Sequence, residues 1–149
     1  MREHPDHHDA ELLLRLYELR REEKLRKARE WILSGFEAAS VGELFKKYPR
    51  GSEENASFRM AVSYWDMAAS LVNNGLIKEE FFFENTTEFW VTWLRLKPLL
   101  AEMRGILKNP FYAKNLETLA EKFEKWMELR APGALEVLRQ RLQAASKPS

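Results

Sequence analysis

Histidine is the commonest metal ligand and the usual general base near neutral pH, and this chain has it at three positions, His4, His7 and His8. On a helix, His4 and His8 would share a face, an arrangement conceivable for zinc or nickel. Pro5 and the place at the chain end argue against a rigid site, so we interpret these histidines as part of a solvated tail. The chain has no cysteine and no histidine elsewhere, so we expect no structural metal and no histidine-activated nucleophile.

A polar stripe is the second place where chemistry could occur. Arg59, Ser63, Asp66 and Ser70 recur at spacings of three and four, which places them on one helix face. The stripe could line a small polar pocket between helices, as in a small-molecule-binding protein or an enzyme. The plainer interpretation is a wetted face of an amphipathic helix. Carboxylate or lysine catalysis stays open.

Cofactor motifs are absent from the sequence. The glycines form neither a phosphate-binding loop nor a dinucleotide fingerprint, and no Glu-x-x-His pair suggests a di-iron bundle. We therefore expect no cofactor.

Aromatic residues crowd into "FFFENTTEFWVTW", residues 81–93. Phe89 and Trp93 fit the inward face of a helix. Three consecutive phenylalanines cannot all face one core, because successive helical residues lie about 100° apart. We therefore take Phe81, Phe82, Phe83 and Trp90 as a candidate interface for a homodimer or a protein partner. Coverage by a neighbouring helix or the N-terminal segment is the alternative.

The overall charge is close to balanced, with 24 basic and 23 acidic residues and a net charge of +1. Nucleic-acid binding is not expected, since phosphate backbones select for basic excess. No segment approaches the roughly 18 apolar residues of a membrane span. These features, and the lack of cysteine, favour a cytoplasmic protein. Contact of the charged first helix with a membrane surface or nucleic acid is kept as a third option.

Hydrophobic periodicity predicts an all-α, single-domain bundle of five or six helices that would position these residues. Residues 1–8 are expected as a flexible tail, 9–145 as the helical domain and 146–149 as a second tail. The expected helices are 9–34, 41–48, 53–74, one from about 85 to 107, 113–129 and 134–144. Pro98 should kink the fourth of these near Leu94–Lys97. Asn85 should cap the same helix, with Glu88 completing a capping box.

Residues Phe58–Arg104 carry an aromatic helix, then "SLVNNGLIKEEFF", then a tryptophan helix ending in "WLRLKPLLAEMR". This pattern resembles a bacterial family of uncharacterised helical domains. The resemblance implies an all-helical bundle and supplies no activity. Relatives often look as though a membrane anchor precedes the domain, whereas the first helix here is too charged to span a bilayer.

Two functional hypotheses follow from the sequence. The first is a non-catalytic helical interaction module that self-associates. The second is a small-molecule-binding protein or enzyme with its pocket along Arg59–Ser70.

Overall fold

The structure is a computed structural model that describes the backbone of residues 3–146 and the side chains of residues 3–144. Within that range all regular structure is helical and there is no strand, so the expected all-α class is confirmed. Parts of both expected tails, residues 1–2 and 147–149, lie outside the described residues. The helices are α1 His7–Arg20, α2 Glu23–Ser34, α3 Val41–Lys47, α4 Glu53–Asn73, α5 Glu79–Asn85, α6 Glu88–Leu96, α7 Leu100–Leu107, α8 Lys114–Arg130 and α9 Ala134–Ser146. The expectation of five or six helices was therefore wrong.

The predicted long first helix is divided at Arg21 and Glu22. The Glu22 carboxylate accepts a hydrogen bond from the Leu25 backbone N–H at 3.0 Å and so caps the start of α2. An N-cap satisfies amide groups that a continuous helix would have bonded internally. The charged residues 20–24 thus form the boundary between α1 and α2.

Helix α4 lies at the centre of the packing and contacts α2, α5, α6 and α8. Its inward face is an apolar stripe at spacings of three and four, and the stripe residues Phe58, Val62, Trp65, Ala69 and Val72 are all buried. Its end is a complete Schellman motif, in which Gly75 has φ +77° and the Leu76 N–H bonds the Leu71 carbonyl at 2.9 Å.

Pro98 breaks the chain into two helices, so the prediction of one kinked helix was wrong. Helix α6 ends at Leu96, a 3₁₀ turn covers Lys97–Leu99, and α7 begins at Leu100. Pro98 has no N–H to offer the Leu94 carbonyl. The Leu100 N–H instead bonds the Lys97 carbonyl three residues back, which tightens the backbone into the 3₁₀ turn.

The start of α6 also differs from the expected capping box. Asn85 ends α5, and Thr87 is the N-cap residue, without a side-chain cap bond. Glu88 instead receives two hydrogen bonds from Arg29 of α2, at 2.6 and 2.8 Å, in a largely buried pair. This bidentate contact fastens α2 to α6.

No helix in the described part of the chain is both long enough and apolar enough to cross a bilayer.

Candidate functional site

The N-terminal histidines are exposed, and α1 already begins at His7. Asp6 and Asp9 form a reciprocal capping box at this helix start. Asp9 is fully buried and also accepts a hydrogen bond from the Lys78 backbone N–H, which ties α1 to the start of α5. Within residues 3–144, no group of three or more acidic or histidine side chains is arranged to hold a metal ion.

The candidate aromatic interface is mostly interior in this fold. Phe82, Phe83 and Trp90 are exposed by 1%, 3% and 0%, and only Phe81 is half-buried. Phe83 lies 5.2 Å from Phe123 between ring centroids. The four rings therefore do not form an exposed surface, and this part of the sequence interpretation is corrected.

The burial of adjacent rings results from contacts on two sides of α5. Phe82 packs on Phe89 of α6 at 5.3 Å, while Phe83 also meets Phe123 and Trp126 of α8. The angular argument assumed one packing face for each helix. A short helix covered on two sides can bury neighbouring residues.

Three members of the polar stripe have structural partners within the described chain. Ser63 and Ser70 donate to carbonyls of their own helix, at Met60 and Met67, with distances of 3.2 and 2.6 Å. The Asp66 carboxylate accepts from the Leu116 N–H at 2.9 Å. It thereby caps α8, whose own N-cap residue supplies no side-chain bond.

Arg59, the remaining stripe residue, is exposed and held in place by a neighbouring amide. Its Nε donates to the Asn55 Oδ1 at 3.2 Å. Asn55 is 4% exposed, and its Nδ2 donates to the Tyr48 carbonyl at 3.0 Å. The Asn55 amide therefore fixes the Arg59 guanidinium through Nε and does not use its two terminal nitrogens.

A cleft with a volume of about 390 Å³ adjoins Arg59. We call it the Arg59 cleft; residues of α3, α4 and α7, of the connection between α3 and α4, and of the segment before α8 line it. Its walls are apolar, and its polar lining consists of Arg50, Asn55, Arg59 and Tyr112. The apolar lining residues are Leu44, Phe45, Phe58, Met103 and Leu107.

The charge in the Arg59 cleft is of one sign. Arg50 lies with its guanidinium carbon 5.4 Å from the centroid of the Phe45 ring. Among the described side chains, no carboxylate forms an ion pair with Arg50 or Arg59, and no acidic residue lines the cleft. By contrast, Arg29 and Arg104 are each paired with a glutamate.

A second, more open cleft of about 530 Å³ lies on the other side of Arg59 and Tyr112. Ser63 and Asp66 line it, so part of the predicted polar stripe does reach a cavity. Burial, with a smaller contribution from the Asp66 charge, raises the pKa of Tyr112 to about 12. The phenol lines both clefts and, like any tyrosine at neutral pH, is protonated and can donate a hydrogen bond.

Sequence reasoning located Arg59 and missed the rest of the Arg59 cleft. Arg50 and Tyr112 are far apart in the sequence, and no helical periodicity relates them. The one available clue was Asn55, four residues before Arg59, a spacing at which polar helical side chains meet.

Comparison with protein families matches residues 5–126 to a family described as a domain of unknown function, DUF4760. The chain belongs to this family. The resemblance noted over Phe58–Arg104 is thereby confirmed, and the DUF4760 match is longer. Comparisons with curated proteins and with solved structures give no match.

The DUF4760 match contains every residue that lines the Arg59 cleft. It ends within α8 and leaves α9 outside. The cleft is therefore built wholly from the part of the chain that the family describes.

Proposed function

We propose that this DUF4760 domain is a non-catalytic binding module and that a small molecule occupies its Arg59 cleft. The observation that carries the proposal is the Arg59 guanidinium, fixed by Asn55 at the mouth of an apolar cleft. A positioned polar group in an apolar concavity is typical of ligand sites, whose volumes run from about 300 to 1,000 Å³. The volume of about 390 Å³ lies within that range.

Binding is favoured over catalysis by the ionisable groups of the cleft. These are Arg50, Arg59 and Tyr112. An arginine keeps its proton at any ordinary pH, and Tyr112 has its pKa raised to about 12 by burial first and by Asp66 second. General acid–base catalysis works best with a pKa near the working pH. The lining thus offers hydrogen-bond donors and positive charge, which suit recognition.

A fragment screen followed by NMR would test the binding site without assuming a ligand class. The library should hold neutral, anionic and cationic fragments in equal numbers. We expect amide shifts to cluster at residues such as Leu44, Phe58 and Leu107. A Leu107→Trp variant should block these shifts, because residue 107 lies half exposed at the edge of the cleft. A matched Val137→Trp variant, at a similarly exposed position on α9, should leave them unchanged.

Fragment shifts that cluster away from the Arg59 cleft, or that survive Leu107→Trp, would overturn this function. Leu107→Trp must also keep the melting temperature of the parent chain, which a thermal scan would check.

Self-association is the second candidate function, and an exposed apolar patch that adjoins the Arg59 cleft at Leu107 supports it. Ile106, Leu107 and Phe111 are exposed by 51%, 47% and 74% within six consecutive positions. Large exposed apolar patches on monomers often mark interaction sites. Sedimentation at several concentrations would detect the dimer. We expect Phe111→Ser to weaken it, whereas the control Leu129→Ser, at a highly exposed position on α8, should leave it unchanged. A monomer at all concentrations would contradict this candidate.

We further propose that the protein acts in the bacterial cytoplasm. The lack of cysteine suits a reducing compartment, and the sequence pattern resembles bacterial proteins. Fractionation of a bacterial host that encodes the gene should recover the protein with cytosolic markers, and recovery with the envelope would contradict the proposal.

A further inference from the structure

We infer that the ligand of the Arg59 cleft is an amphiphile, with an anionic head such as a carboxylate or phosphate and an apolar tail. This inference rests on the proposed function and assigns the chemical class of its ligand.

The head-group assignment follows from charge and geometry. Two guanidinium groups, Arg50 and Arg59, border the cleft, and no acidic side chain lines it within the described chain. Arg59 uses Nε to bond Asn55. Its terminal nitrogens remain for a ligand, and a guanidinium edge matches the paired oxygens of a carboxylate or phosphate. A cationic head would be repelled by both arginines.

The tail assignment follows from the walls. Leu44, Phe58 and Met103 form the buried backing of the cleft, and the half-buried Phe45 and the exposed Leu107 present its accessible apolar surface. Leu107 lines the same cleft yet is 47% exposed, so a tail would remove its apolar surface from water. Methionine has three rotatable bonds and adapts to the shape of a bound chain.

The cleft also distinguishes an amphiphile from a simple anion. An inorganic phosphate could meet the arginines but would leave the apolar walls unfilled. A neutral apolar compound could fill the walls but would give neither guanidinium group an anionic partner. Only a molecule with both parts uses the whole lining.

A chain-length series tests the inference. Butanoate, hexanoate, octanoate and decanoate would be titrated calorimetrically, below the concentrations at which they form micelles. Burying each methylene contributes about 0.8 kcal/mol, which is about a fourfold decrease in Kd per methylene. We expect this progression until the cleft is full, and we expect octanol and octylamine to bind more weakly than octanoate.

Substitutions separate the head from the tail. Charge-assisted hydrogen bonds contribute about 1.5–3 kcal/mol, so Arg59→Gln and Arg50→Gln should each weaken octanoate binding by about tenfold or more. Neither should change the binding of octanol. Arg26→Gln, a control at an exposed position on α2, should change neither. Because Arg50 and Arg59 are exposed, the variants should keep the parent melting temperature.

The same chemistry could come from a free amphiphile or from a lipid in a bilayer. A second experiment measures binding of the protein to vesicles with and without anionic lipid. If monomeric octanoate competes with this binding, both sources occupy the same cleft.

The inference would be overturned if octanol or octylamine bound as tightly as octanoate, or if the Kd did not depend on chain length. Binding to vesicles without any binding of monomeric carboxylates would also overturn it. If neutral fragments still bind the cleft by NMR, the proposed function survives that failure.

Discussion

Trp65 is the largest side chain that α4 contributes to the core. It is 1% exposed, and its ring centroid lies 4.8 Å from that of Tyr64 and 6.5 Å from that of Phe89. The Tyr64 hydroxyl in turn donates to the Leu16 carbonyl of α1 at 2.5 Å. The Trp65 ring thus lies where packing from α1, α4 and α6 meets.

Replacing Trp65 by alanine should lower the free energy of unfolding by about 3–5 kcal/mol, the range for deleting a buried large aromatic side chain. Trp126→Ala is the matched control, because that ring is half-buried at the edge of the core and should cost less. Urea unfolding would measure both. A loss below about 1 kcal/mol for Trp65→Ala, the behaviour of a surface position, would contradict the central place of α4.

At the residue scale, a sequence reveals burial when one helix packs through one face. Phe58, Val62 and Trp65 follow the 3.6-residue period, which predicts their burial, and all three are buried. The period failed for Phe82 and Phe83, because α6 and α8 cover α5 on two sides. A helix of seven residues buried on two sides shows no apolar period from which this could be predicted.

Helices α7 and α8 are joined by one carboxylate that serves two cations. The Glu117 Oε1 lies 3.2 Å from an Arg104 terminal nitrogen and 3.0 Å from the Lys114 Nζ. Arg104 also donates to the Tyr112 carbonyl at 3.0 Å, which fixes the segment beside the Arg59 cleft. Burial alone would raise the pKa of Glu117, but the hydrogen bonds from Lys114 and Arg104 outweigh burial and lower it.

This lowered pKa predicts a pH dependence of stability. A carboxylate whose pKa is lower in the folded chain stabilises the fold above its unfolded pKa, here about 4.5. That stabilisation is lost as the pH falls through the lower folded-state value. The parent chain should therefore lose more stability than Glu117→Gln as the pH decreases below about 4.5.

Thermal unfolding across that range would measure the difference, with Glu121→Gln as a control at an exposed position of the same helix. Equal pH dependence for the parent and Glu117→Gln would show that Glu117 contributes nothing to it.

At the element scale, the sequence predicted α3 and α4 within a residue at each end, because caps and breakers agree with periodicity there. Ser40 and Ser52 cap the two helices, and Gly75 ends the second. The division at Glu22 could not be read in the same way, since glutamate is an ordinary helix-forming residue. Its role as a cap depends on the α1–α2 packing.

The whole molecule is organised around α4, and α9 is attached to one side of that arrangement. Helix α9 packs on α8. Its Leu135 is 4% exposed, and the guanidinium carbon of its Arg139 lies 5.4 Å from the centroid of the Trp90 ring. The Trp90 Nε1 donates a hydrogen bond to the Glu124 carboxylate at 3.0 Å. Contacts of α4 with α2, α6 and α8 are made without α9, and the DUF4760 match also ends before it.

A chain that ends at Gly133 should therefore remain folded and unfold cooperatively, with a lower stability. Burying a leucine contributes about 1.5–3 kcal/mol, so the loss of Leu135 alone should remove about that much. Trp90 is 0% exposed in the full chain and should become partly accessible, with red-shifted fluorescence. Comparing the full chain and the shortened chain each with its own Trp90→Phe variant isolates the emission of this ring.

If the shortened chain unfolds without a cooperative transition, α9 is part of the folding unit and the core around α4 is not self-sufficient. If it unfolds cooperatively with unchanged Trp90 emission, the ring is shielded by α6 and α8, and α9 adds stability without covering it.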